Sequence, residues 1–302
     1  MQGFLRGLGV VSRMMRTMPA GRFADANATL DEARYVVLGV PFDRTTSFRP
    51  GARFGPDAIR AHSWNFETFD LETSVDLSEV PVHDAGNLEE FGNAPDMAEA
   101  LRTSLAPLWK AGKFPIVLGG DHACAAPVVE AIPEDRKVFV IYLDAHMDFR
   151  EEYLGDPRSH ACSSRRMAEH VGFENLAVLG VRSVSREETE GIRKTGLRYI
   201  DAYQVHRAGM DVAIQKVLRM AGKKDIYISL DIDCIDPAYA GGTGTPEPFG
   251  LSPLDIKAVV DRVGRRLIGM DFMEVSPPYD NGNTSALAAR LAREAIVRSW
   301  KK

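Results

Sequence analysis

From residue 35 onward, short apolar runs alternate with longer stretches of helical spacing. Tyr35-Val36-Val37-Leu38-Gly39-Val40 predicts a buried strand. A loop follows, then the helix start Gly55-Pro56-Asp57-Ala58-Ile59-Arg60. Helical spacing over 95–112 precedes Phe114-Pro115-Ile116-Val117-Leu118, a strand that stops at Gly119-Gly120. Residues 123–131 read as helix, and Lys137 to Leu143 (KVFVIYL) is the most strand-like segment of the chain. Further strands are predicted at 176–181, 197–200, 225–230 and 267–273, with helices near 186–195, 209–221, 252–264 and 283–299. Continuous apolar strands separated by helices mean a parallel sheet covered on both faces, an α/β architecture. No internal repeat, low-complexity linker or break in composition divides the chain. It therefore reads as an arm (1–30) and a single domain (31–302). In such sheets ligands bind at the carboxyl ends of the strands, so chemical residues are expected just after the strand runs.

Composition narrows the function only a little. The 302 residues are 45% hydrophobic and 26% charged, ordinary for a globular protein, and their number suffices for a sizeable core. A net charge of -5 lacks the basic footprint of a nucleic-acid binder. No run reaches the roughly 18 to 20 apolar residues that span a bilayer. Cys124, Cys162 and Cys234 show no CxxC spacing and read as free thiols in a reducing compartment, with the cytoplasm as the default. Met1 to Ala24 carries Arg6, Arg13, Arg16 and Arg22 with no acid, a composition shared by transit peptides. The favoured reading is an arm packed on the body or on a neighbouring subunit.

The chemistry concentrates at strand ends. Asp144-Ala145-His146-Met147-Asp148 directly follows the KVFVIYL strand. In extended chain, positions i, i+2 and i+4 point to one side, so Asp144, His146 and Asp148 are placed to converge. Burying such carboxylates beside an apolar strand costs several kcal/mol per charge without a compensating cation. No Lys or Arg lies within the motif, which points to a metal. Asp231-Ile232-Asp233 repeats the logic after Ile226-Tyr227-Ile228-Ser229-Leu230. Gly119-Gly120-Asp121-His122 adds a histidine that the glycines allow to turn into a crevice. His62, His83, His170 and His206 follow no such rule and read as ordinary histidines. The set His122, Asp144, His146, Asp148, Asp231 and Asp233 holds four carboxylates, a match for two divalent cations. Mixed carboxylate and imidazole donors without thiolate suit Mn²⁺, with Fe²⁺, Co²⁺, Ni²⁺ or Zn²⁺ as substitutes.

GGDH (119–122), DAHMD (144–148), SLDIDCIDP (229–237) and MEVSPPYD (273–280) together resemble the signatures of the ureohydrolase family of arginases and agmatinases, in order and over roughly residues 35–300. Within it the chain most resembles the agmatinase branch. The resemblance implies a three-layer αβα arginase-like fold with a mostly parallel eight-stranded sheet, two Mn²⁺ per subunit, and a homotrimer or homohexamer. It assigns His122, Asp144, Asp148 and Asp231 to one ion and His146, Asp144, Asp231 and Asp233 to the other. It makes Glu274 the guanidinium-binding acid and His160 a proton shuttle at the mouth; family members often carry Gly where this chain has Ala161. Asp148 would relay a proton to the departing amine. The loop Gly241-Gly242-Thr243-Gly244-Thr245-Pro246-Glu247 is expected to shape the entrance, with Thr245 as a substrate-binding residue, and lacks the ending of a phosphate-binding loop.

The expected reaction is hydrolysis of a guanidino group to urea and an amine. Arginases typically follow the DAHxD block with small polar residues that grip an amino-acid head, whereas this chain has Phe149-Arg150-Glu151-Glu152-Tyr153. Glu151 and Glu152 attract a distal ammonium, so agmatine, yielding putrescine for polyamine synthesis, ranks first. N1-aminopropylagmatine is next, then 4-guanidinobutyrate, whose carboxylate would rely on Arg150; arginine ranks below them. Two rival classes remain: a non-catalytic paralogue, which should have lost ligands, and a one-zinc deacetylase-type hydrolase, which metal stoichiometry separates.

Overall fold

The computed structural model describes residues 17–18 and 21–300. Most of the arginine-rich stretch from Met1 to Ala24 thus lies outside the described residues. The strands of the main sheet are β1 (Thr17–Met18), β2 (Tyr35–Gly39), β3 (Val82–Leu88), β4 (Phe114–Leu118) and β5 (Val138–Leu143). They continue with β6 (Leu176–Val181), β7 (Arg198–Asp201), β8 (Asp225–Asp231) and β9 (Leu267–Met273). Their order is β1-β3-β2-β4-β9-β8-β5-β6-β7. Eight are parallel, the number the family resemblance implies, and the two-residue β1 adds an antiparallel edge on β3.

The helices are α1 (Gly55–Ser63), α2 (Ala94–Lys110), α3 (Ala125–Glu130), α4 (Ser163–Val171) and α5 (Arg186–Thr195). After these come α6 (Ala202–Ala208), α7 (Met210–Ala221), α8 (Pro253–Val263) and α9 (Asn283–Ser299). Alternate strand residues feed two separate cores. Phe139, Ile141 and Leu143 of β5 pack with α6, α7, α8 and α9, while Val138, Val140 and Tyr142 pack with α2, α3 and α4. Both faces are dry, which is why the strands read as unbroken apolar runs.

Besides the two-residue β1, three elements of the main sheet and its helices escape the hydrophobic pattern. β3 (VHDAGNL) is polar because Arg60, wholly buried, donates to both carboxylate oxygens of Asp84 at 2.9 Å. α4 buries mainly Met167 and Ala168 beside two serines, too few apolar positions to read as a face. α6 is a seven-residue helix joined to α7 by Gly209, and the hydrophobic spacing shows only the second of the pair.

Candidate active site

β4, β9, β8 and β5 are neighbours and parallel, so their carboxyl ends open along one edge of the sheet. The four motifs, scattered between residues 119 and 280, meet there. At the end of β4 a Cβ on Gly120 would overlap the main chain of Phe42, so only glycine permits that close approach. The chain then turns through a short 3-10 segment, His122–Cys124.

His122 is buried with Nδ1 2.9 Å from Asp231 Oδ2 and 3.0 Å from Asp144 Oδ2. Its ring stacks on Tyr142 at 4.5 Å between centroids. Behind it, Nε2 lies 3.1 Å from Ser229 Oγ, and Ser229 donates to Asp271 Oδ1 at 2.8 Å. Asp271 also accepts from Tyr227 at 2.7 Å. With its proton given to Asp271, Ser229 accepts from His122 Nε2–H, leaving the Nδ1 lone pair turned toward two carboxylates. That arrangement is repulsive without a proton or a cation on Nδ1.

The β5 end supplies the remaining ligands. Asp144 is fully buried; its Oδ1 accepts from the His146 amide at 2.6 Å, while its buried Oδ2 has no hydrogen-bond donor. His146 Nδ1 is 3.0 Å from Asp233 Oδ2 and 3.5 Å from Asp144 Oδ1. Two groups of donor atoms therefore form, His122–Asp144–Asp231 and Asp144–His146–Asp233, with Asp144 in both. Asp148 lies beside the first: its Oδ2 is 3.7 Å from His122 Nδ1 and accepts from the Tyr142 hydroxyl at 2.7 Å. Asp148 (φ 50°) and Glu274 (φ 62°) both hold left-handed backbone, unusual for residues other than glycine and costing on the order of 1–3 kcal/mol each.

The electrostatics show what the cluster lacks. Burial, then the charge of Asp144, pushes the Asp148 carboxyl well above its usual range; burial, then Asp233 and Asp144, does the same to Asp231. Burial alone would lower the basicity of His122, but Asp144 and Asp231 outweigh it and raise it well above the ordinary value. Among the described residues no Lys or Arg pairs with Asp144, Asp148, Asp231 or Asp233. Packed carboxylates, a donorless Oδ2 and an inward imidazole lone pair fit divalent cations. The three cysteines are buried and belong to neither group.

Glu274 follows β9. It is buried, accepts from the His122 amide at 2.9 Å, and is raised well above the usual carboxyl range by burial and then by Asp121. His160 lines a cleft of about 300 Å³ beside the cluster, together with His146, Asp148, Arg150, Tyr153, Glu188 and Thr245. Burial foremost, then the charges of His146 and His122, lowers its pKa to about 4. Thr245 Oγ1 is 3.3 Å from Asp233 Oδ2. Glu151 and Glu152 stand apart: neither lines this cleft, and Glu151 is ion-paired with Arg165 and, at 3.8 Å, Arg166. His62, His83 and His206 lie within hydrogen-bond distance of main-chain carbonyls, as ordinary histidines do.

Several site residues had no motif to announce them. Glu188 on the cleft wall caps α5 through Ser185 and accepts from the Phe149 amide at 3.0 Å; the S-x-x-E spacing at 185–188 was its available signal. The Ser229–Asp271 pair and Tyr142 support His122 from strand interiors, where sequence shows only a polar residue in an apolar run.

A family model described as the arginase family matches residues 33–297. The chain is 33% identical to an agmatinase of Bacillus anthracis over 285 residues, 93% of this chain and 96% of that one. It is 37% identical to an N(1)-aminopropylagmatine ureohydrolase of Thermus thermophilus over 280 residues, 91% of this chain and 93% of that one. The solved structure of the agmatine ureohydrolase of Thermoplasma volcanium superposes with a TM-score of 0.88 at 38% identity, covering 93% of this chain and 95% of that one.

Proposed function

The chain belongs to the arginase family, and we propose that it hydrolyses the guanidino group of agmatine to urea and putrescine. The observation that carries this reading is the pair of donor groups sharing Asp144, with Glu274 beside them. His122, Asp144, Asp148 and Asp231 would hold one Mn²⁺, and His146, Asp144, Asp231 and Asp233 the other. When bound, the ion pair supplies a water of near-neutral pKa and a positive field.

The chain's own residues do the rest. The cationic guanidinium, once bound, holds Glu274 ionised against its burial and is oriented by it, since a planar fork suits a carboxylate. Asp148, held by Tyr142, passes a proton to the departing amine, and His160 exchanges protons with solvent across the cleft. Thr245 packs the entrance loop on Asp233. An ammonium tail lying along the cleft meets Glu188, while Arg150 is paired with Glu187 at 3.1 Å. With Arg165 and Arg166 holding Glu151, the preference for agmatine draws on Glu188 and on the similarity to agmatinases.

N1-aminopropylagmatine is the second reading, favoured by the Thermus relative; 4-guanidinobutyrate is third. Manganese as resident ion, a homotrimer or homohexamer, and a cytoplasmic place in polyamine synthesis complete the proposal. No helix among the described residues is long and apolar enough to cross a membrane. The test is urea release with Mn²⁺ from agmatine, aminopropylagmatine, guanidinobutyrate and arginine. Agmatine should be turned over fastest. Equal or faster turnover of arginine rejects the ranking, and one tightly held zinc with no urea from any guanidine rejects the activity.

A further inference from the structure

Arg182 follows β6 and belongs to none of the motifs, yet its guanidinium is fully employed. Its five N–H bonds have five different main-chain carbonyls to meet. Nε donates to Pro248 O at 2.9 Å. Nη1 donates to Gly180 O at 3.1 Å and Cys234 O at 3.2 Å. Nη2 donates to Asp233 O at 2.7 Å and Glu247 O at 2.6 Å. One planar group thus ties the end of β6, the segment carrying Asp233, and the entrance loop into one piece. The main chain adds a fourth tie. The amides of Arg182 and Ser183 both donate to Ala145 O, at 2.8 and 2.9 Å, between Asp144 and His146. Gly250 is part of the same fit, because a Cβ there would reach 2.7 Å from Arg182 Nη2.

These ties are lopsided with respect to the metal centre. The entrance loop that Arg182 holds brings Thr245 Oγ1 to 3.3 Å from Asp233 Oδ2 and Glu247 Oε1 to 3.7 Å from His146 Nε2. Asp233 and His146 belong to one donor group only, and Asp144 is shared by both. His122 is supported instead by Ser229, Asp271 and Tyr142, on β8, β9 and β5, and none of these three side chains is among the hydrogen-bond partners of Arg182.

We infer that Arg182 is a positioning residue for one of the two metal positions, the Asp144–His146–Asp233 group, and for the entrance loop that closes over it. It acts through main-chain carbonyls and touches neither ion nor substrate. This rests on the two-ion reading of the site proposed above. A lysine cannot replace it, since three donors on a flexible stem do not span five carbonyls in a plane.

The experiment compares full-length wild type, Arg182→Lys and Arg182→Met. Mn²⁺ is titrated by calorimetry, electron paramagnetic resonance separates a lone ion from a coupled pair, and kcat and KM are measured at saturating metal. In both variants one ion should keep wild-type affinity while the second weakens by about 10–100-fold, the scale of an outer-shell partner. KM should rise more than kcat falls, because the loop lines the cleft. Unchanged binding of both ions, or equal weakening of both, overturns the inference and leaves Arg182 as general support for the fold. If the Met variant does not fold, the same unequal or equal loss in the Lys variant decides. A wild type that binds two ions and releases no urea would defeat the proposed activity without touching this result.

Discussion

Asp233 has two oxygens with separate duties, Oδ1 accepting from the Ala145 amide at 3.1 Å and Oδ2 facing His146. Asp233→Ala removes a donor from only one of the metal groups. It should lose one ion and at least about 100-fold in kcat, a few kcal/mol of transition-state stabilisation. The far-ultraviolet circular dichroism should stay that of the folded protein; global unfolding would show that Asp233 is chiefly structural. Ser229→Ala probes the opposite side. It deprives His122 Nε2 of its acceptor and frees the ring, so metal affinity should fall by about 10–100-fold, read by competition with a chelator. An unchanged affinity would mean that stacking on Tyr142 alone orients the imidazole.

At the scale of elements, α5 is more than a cover for the sheet. Ser185 and Glu188 form a reciprocal cap at its start, and Glu188 also accepts from the Phe149 amide, next to the left-handed Asp148. Ser185→Ala should cost about 1 kcal/mol in denaturant unfolding, as loss of an N-cap does. Glu188→Ala should cost more and also lower kcat, because the segment that aims Asp148 is loosened. Equal stability losses with unchanged kcat would separate α5 from the site. The missed elements belong to this scale too. β3 is legible only once Arg60 from α1 is known to satisfy Asp84, a partner 24 residues away. Propensity and periodicity are local, whereas the burial that decides such a strand is not.

At the scale of the molecule, the buried carboxylates couple stability to metal and to pH. Burial, opposed chiefly by His122, holds Asp271 at about 6, and Asp148 and Asp231 lie well above their usual value. A carboxyl whose folded pKa exceeds its unfolded value binds more protons when folded, so it favours the fold at low pH and loses that contribution as pH rises. For Asp271 the loss falls between about 4, its ordinary value, and about 6. Asp148 and Asp231 carry it higher. The metal-stripped protein should therefore melt at a lower temperature at pH 8 than at pH 5.5. Mn²⁺ should raise the midpoint more at pH 8, since cations hold the ionised forms. A metal effect on the midpoint that ignores pH, followed by scanning calorimetry, would mean these carboxyls are not the ligands.

The chain by itself determined the class of sheet and most of its strands, and it singled out the residues proposed as metal ligands. Unbroken apolar runs demand burial on both faces, and acids placed just after such runs demand a cation. The signatures at 119–122, 144–148, 229–237 and 273–280 determined the family. The tertiary structure alone decided that the strands carrying them lie side by side, because strand order depends on crossovers and not on the strands' own sequences. It also decided the far end of the cleft. Adjacent acids in a loop look equally available in sequence, but the turn of the chain gives Glu151 to the arginines of α4, while Glu188, 37 residues on, is brought to the wall. Arg182 belongs wholly to that second category: its meaning lies in five carbonyls from three segments, and carbonyls leave no trace in a sequence.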